Sequence, residues 1–143
     1  MATLLKVHKE DKKENESKEK ELTPEYIQGI LFYFHNAAHK YHLDTKSYEI
    51  HKTLDGLYNY LVGFKDDISE LLMGYTGKRI GEININKIPA YSESEVTKTV
   101  NEIKDFAYEL YEWAGDKKYC DIENKAQDLS GVAAKTLYLL TLK

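Results

Sequence analysis

An all-α, antiparallel four-helix bundle is the fold that this sequence predicts, and three observations carry that expectation. Four long stretches between Thr23 and Leu140 place apolar residues at spacings of three and four, the period of a helix with one buried face. Polar capping residues and glycines punctuate those stretches where helices would start and stop. The two prolines, Pro24 and Pro89, stand outside the helix interiors and leave the periodic runs whole. A chain of 143 residues is expected to form one domain that buries a core without disulfides.

The first helix should run from about Thr23 to Asp44, with Thr23 as N-cap and Pro24 at the first position, where its missing N–H costs nothing. Its apolar stripe is Ile27, Ile30, Leu31, Phe34, Ala37, Ala38 and Tyr41. A polar joint (Asp44, Thr45, Lys46) leads to a second helix from about Ser47 to Tyr75, closed by Gly77. Its seam is Ile50, Leu54, Leu57, Leu61, Phe64, Ile68, Leu71 and Tyr75. Residues 78–91 form a connection long enough to cross over along the bundle. Ser92 and Glu95 make a capping box for a third helix reaching about Ala114, with Val96, Val100, Ile103, Phe106, Ala107, Leu110 and Trp113 inside and Gly115 as its stop. The fourth helix starts near Tyr119 and buries Ile122, Ala126, Leu129, Ala133, Leu137 and Leu140. Residues 22–143 are thus the bundle, and 1–21 are expected to be a disordered charged tail.

Bulk properties exclude several functions. Mean hydropathy is negative and no apolar run approaches a bilayer-spanning length, so no membrane partner is expected. The N-terminus lacks a secretory signal, and Cys120 is the only cysteine, which suits a reducing cytoplasm. The net charge of −4 argues against strong nucleic-acid affinity. Between Lys6 and Glu21, six lysines are balanced by six acids, so DNA is a weak candidate partner for the tail. No phosphate-binding spacing accompanies Gly77, Lys78, Arg79 and Gly81, and Cys120 has no evident partner histidine.

The second helix carries the chemistry. His51, Asp55, Asp66 and Glu70 follow at spacings of four, eleven and four, one stripe about 100° wide beside the apolar seam. Imidazole and carboxylate are donors for iron, manganese and zinc. Asp55 and Asp66 are about 16 Å apart along the helix, too far to share an ion within one chain. The stripe is nevertheless symmetric: His51 with Glu70, and Asp55 with Asp66, share a midpoint between Tyr60 and Leu61. Two copies crossing antiparallel there would form two identical sites, and Gly56 and Gly63 would admit a close approach. On the first helix His35, His39 and His42 share a face, and one of them could complete each site. Asp67 falls off the stripe and reads as a solvated residue.

His39, His51, Asp55, Asp66 and Glu70 are spaced twelve, four, eleven and four, which resembles the ferroxidase ligand set of the Dps miniferritins, members of the ferritin-like superfamily. The stretch from His51 to Leu57 is similar to the start of that family's second helix, and Leu129 to Leu140 to its last. An alternative alignment through His42-Leu43-Asp44 makes His42 the first-helix ligand, with His39 favoured over it and His35 third. The resemblance implies a ferritin-like bundle with a crossover between the second and third helices. It implies a homo-oligomer, from a two-fold dimer to a cage of commonly about twelve subunits. Iron would be oxidised at the two-fold interfaces by peroxide or oxygen and stored as ferric mineral, other divalent metals being able to bind. The sequence departs from the family where Lys40 follows His39 in place of tryptophan and Leu71 follows Glu70 in place of arginine. Thr45-Lys46-Ser47-Tyr48 is similar to Dps-like proteins of tailed phages, which implies a host cytoplasm or a virion. The rival expectation is a bundle that has lost catalysis and serves as a structural or interaction protein, virion- or DNA-associated. A di-metal carboxylate enzyme within one bundle is disfavoured because no Glu-x-x-His occurs.

Overall fold

The computed structural model describes residues 21–142, and the charged stretch over 1–20 lies outside them. Four helices make up the described residues: α1 (Pro24–Asp44), α2 (Tyr48–Thr76), α3 (Glu93–Lys117) and α4 (Cys120–Leu140). The all-helical bundle expected from periodicity is what forms, with no strand among the described residues.

Local chemistry sets most helix ends. The hydroxyl of Thr23 accepts from Tyr26 N at 3.1 Å, that of Ser47 from Ile50 N at 3.2 Å and that of Ser92 from Glu95 N at 3.0 Å. Each satisfies an N–H that no helical carbonyl can reach. Gly77 closes α2 in the left-handed region at φ 73°. The third helix departs from expectation: it runs through Gly115 to Lys117, and Lys118 takes the left-handed turn at φ 63°. Lys118 N–H then donates to Gly115 O and Tyr119 N–H to Ala114 O, the paired bonds of a Schellman close. Gly115 serves packing instead. A Cβ there would lie 3.1 Å from a carboxylate oxygen of Glu123 on α4.

The core is one cluster drawn from all four stripes, including Ile27, Leu31, Phe34, Leu54, Leu61, Ile68, Val100, Ile103, Leu110, Ile122 and Leu129. At the far end of α2 the buried residue is Leu72, whereas Leu71 is partly buried and Tyr75 exposed. A helix turns every 3.6 residues, so a seam counted at 3.5 drifts by about 60° over six turns, enough to bring Leu72 inward in place of Leu71. Ile30, Trp113 and Leu137 likewise pack partly buried at the rim of the core.

Helix α1 packs on α2 and α3, and α4 packs on the same two, which leaves α2 and α3 diagonal. The connection between them follows α1 from end to end. Gly81 N–H donates to the Glu25 carboxylate at 2.9 Å, and Asn84 O sits where a Cβ on Gly29 would be 2.6 Å away. Further along, the Tyr41 hydroxyl donates to Pro89 O, and Thr45 shares a hydrogen bond with the Tyr91 hydroxyl, both at 2.8 Å. Burial and nearby charges push the Tyr41 hydroxyl up to about 12. The strap covers one flank of α1 and leaves the outer flank of α2 bare.

Candidate functional site

Helix ends explain the first pair of histidines. The last carbonyls of α1 have no helical donor, and His42 O is one of them. His51 Nδ1 donates to it at 2.8 Å, and His42 Nδ1 returns a bond to His51 O at 2.9 Å. A carbonyl only accepts, so both Nδ1 atoms carry the proton, and in the neutral rings each Nε2 keeps a free lone pair. That is the tautomer of many metal-binding imidazoles. The two rings stack at 3.9 Å between centroids and 19° between planes. Each Nε2 lone pair lies in its own ring plane, and two stacked planes so close to parallel do not bring both lone pairs onto one ion at the usual Zn–N distance of about 2.1 Å.

The ring column continues along the α1–α2 seam. His39 lies flat on Tyr58 at 4.2 Å and 7°, and His35 stacks on the same tyrosine at 5.5 Å. Both ring nitrogens of His35 are buried without a hydrogen-bond partner. A neutral imidazole always carries one N–H, so at least one donor is unsatisfied, at a cost of about 1–3 kcal/mol. Burial lowers the His35 pKa, with Lys65 and His39 adding to the shift and Asp66 opposing it.

The carboxylates lie further out. Asp55 is half-buried, with the Asn59 amide donating to its backbone oxygen at 2.9 Å and reaching its side chain at 3.4 Å. Asp66 and Glu70 are exposed one turn apart. Asp67, read from sequence as a solvated residue, is exposed and pairs with Lys125 of α4 at 3.4 Å. Between the two halves of the stripe, a Cβ on Gly56 or Gly63 would meet nothing within 4 Å, and Val62 is exposed.

The six sequence-predicted ligands are therefore partly brought together. His42 joins His51, and the register fixed by that pair and by Gln28–Ser69 sets His39 against the turn of α2 bearing Asp55 and Tyr58. Asp66 and Glu70 stand apart, as the rise along α2 requires. Among the described residues no three His, Cys, Asp or Glu side chains of one chain converge on an ion position. Imidazole and carboxylate are donor types that suit a divalent transition metal. Sequence reasoning missed Tyr58 as the ring that organises the column. Its signal was present, since Tyr58 lies seven residues after His51 on the same helix face. A separate cleft of about 420 Å³ lies between α1 and the strap, lined by Tyr26, Gly29, Tyr33, Glu82 and Asn84. Burial and acidic neighbours raise the pKa of both tyrosines there.

Fold and site together define a four-helix bundle with a bare helix face edged by histidines and carboxylates. The chain belongs to a family of unknown function, DUF5856, whose profile matches residues 42–140. It is similar to an uncharacterized 14.6 kDa protein in the mobD-ri intergenic region of Enterobacteria phage T4. The two are 28% identical over 125 residues, covering 83% of this chain and 88% of the phage protein. No solved structure matches the chain. No helix among the described residues is long and apolar enough to cross a membrane.

Proposed function

We propose that the chain is a ferritin-like bundle of the miniferritin type, whose α2 face pairs with that of a second copy to build two sites for Fe(II) as substrate. One observation carries this: the outer face of α2, where the spacing of His51, Asp55, Asp66 and Glu70 is symmetric about Tyr60 and Leu61, and where Gly56 and Gly63 lie uncovered. The strap along α1 supports the ferritin-like crossover, because it returns the chain so that α3 starts where α2 starts. His51 and Asp55 of one copy then face Asp66 and Glu70 of the other. His39 is the α1 ligand, and His42 fixes the ring of His51 through its backbone oxygen. Similarity to a phage protein agrees with a phage-borne subtype working in a host cytoplasm or a virion.

Mixed imidazole and carboxylate donors hold Fe(II) and favour the harder Fe(III). Two Fe(II) each give one electron to a hydrogen peroxide, which takes up two protons and leaves as two waters, so no hydroxyl radical is released. A closed homo-oligomer would retain the ferric product. The test is anaerobic Fe(II) titration by calorimetry, followed by peroxide addition and the rise of ferric absorbance. Saturable binding and fast oxidation, both lost in His51→Ala and Asp66→Ala, are the expected result; heats no larger than buffer refute it. The stacked, non-converging His42–His51 pair favours a second reading in that event. The rings would then serve only as a hairpin staple in a structural or interaction protein.

A further inference from the structure

We propose that the cleft between α1 and the strap binds an organic cation, an ammonium group on a short apolar stem, seated beside the rings of Tyr26 and Tyr33 and held by the carboxylates of Glu25 and Glu82. Tyr26 and Tyr33 lie about half a turn round α1 from His35, His39 and His42, so the inference stands whether or not α2 pairs.

The cleft is walled on two sides. Its volume of about 420 Å³ falls in the range of roughly 300–1,000 Å³ common to small-molecule sites. One wall is α1, where Tyr26 and Tyr33 stand seven residues apart and therefore on one flank. The other wall is the strap, which contributes Glu82, Asn84 and Asn86 at alternate positions. Gly29 lets the two walls meet, since Asn84 O lies 2.6 Å from where a Cβ on that residue would be. Ile30 and Ile83 add the apolar surface that an alkyl stem would cover.

The lining decides the sign of the ligand. It holds two carboxylates and no lysine, arginine or histidine among the described residues. Gly81 N–H donates to Glu25 at 2.9 Å, which fixes that carboxylate at the rim and, with the residue's own N–H, lowers its pKa. Glu82 makes no hydrogen bond or ion pair with the described residues. Lys78 acts on Glu25, and Lys98 meets Glu102 at 4.0 Å, both from exposed positions outside the lining. A tyrosine face attracts an ammonium within about 6 Å of its centroid. The chain makes such a contact elsewhere, where Lys65 sits over the Phe32 ring at 4.1 Å. Burial raises the pKa of both tyrosines, with Glu109 and Glu102 adding to it at Tyr26 and Glu102 and Glu95 at Tyr33, so the rings stay neutral phenols. An anion would be repelled by both carboxylates. A neutral ligand would strip water from Glu82 and give it no charge in return.

Pentylamine is the probe, titrated into the full chain and followed by saturation transfer to its methylenes, a readout that tolerates any oligomer size. Pentan-1-ol is the uncharged counterpart. Pentylamine is expected to bind about tenfold more tightly than the alcohol, and the difference should shrink in 1 M salt. Glu82→Gln, at an exposed position that bonds to nothing in the fold, should weaken pentylamine about tenfold. Tyr33→Leu should weaken it about threefold. Asp128→Asn, on α4 and away from the cleft, should leave binding unchanged. Nα-acetyl-lysine methylamide separates two sources of the same ammonium. Binding equal to that of pentylamine assigns the site to a lysine side chain of a protein, and much weaker binding assigns it to a free amine. The proposal is overturned if pentylamine does not bind, if pentan-1-ol binds as well, or if Glu82→Gln binds pentylamine within about twofold of the parent.

Discussion

Alanine at Gly56 and Gly63 separates the stability of the chain from its assembly. Both glycines lie inside α2, and a Cβ at either meets nothing within 4 Å. Within one chain each change to alanine should therefore stabilise, by about 1 kcal/mol from helix propensity alone. The two are seven residues apart, about 10 Å along the axis, so their effects should add to about 2 kcal/mol. That corresponds to a rise in urea midpoint of about 1 M. Gly131→Ala, an equally open site on α4, supplies the single-site reference of about 1 kcal/mol. Across a two-fold α2 contact the sign reverses, because each chain brings two new methyl groups into the closest approach. Overpacking of that kind costs on the order of 2–4 kcal/mol, at least about a thirtyfold loss in association. The assay is urea unfolding at low concentration, paired with sedimentation equilibrium over a concentration series. A doubly substituted chain that unfolds later and associates as tightly as the parent would refute the close-approach role of both glycines.

Other expectations follow from single contacts. Gly29→Ala gains about 1 kcal/mol of helix propensity but drives a Cβ to 2.6 Å from Asn84 O, so it should destabilise by about 1–2 kcal/mol, read by urea unfolding. Lys118→Gly relieves a left-handed backbone at φ 63° and should raise stability by about 0.5–1 kcal/mol, a gain of a few degrees in Tm. His35 has its folded-state pKa below the ordinary 6.5, so between the two values the unfolded chain holds the extra proton. Its contribution is therefore complete above that pH and lost as pH falls through the window. Unfolding free energy measured against pH should fall less steeply there in His35→Leu than in the parent.

Features written into short stretches were readable from sequence. Thr23 with Pro24, Ser47, and Ser92 with Glu95 mark helix starts because a cap involves only the next three residues. The stop of α3 was misread at Gly115, since what that glycine accommodates is Glu123 from another helix. The rim position of Trp113, the burial of Leu72 in place of Leu71 and the exposure of Tyr75 depend on how four stripes meet. The spacing of His51, Asp55, Asp66 and Glu70 along α2 is a pattern that needs no tertiary information. The His42–His51 clasp, the role of Tyr58 and the unpaired nitrogens of His35 were not readable, because each requires the register of α1 against α2.

The strap along α1 also bears on the order in which the chain folds. The α1–α2 and α3–α4 hairpins join neighbours in sequence and can form early at little loop-closure cost. The strap's bonds to Glu25, Tyr41 and Thr45 span 56, 48 and 46 residues and can settle only once the α1–α2 hairpin has formed. Weakening them should leave the refolding rate nearly unchanged and hasten unfolding. The lifetime of the folded chain is thereby set in a segment that contributes little to the core and none of the candidate ligands.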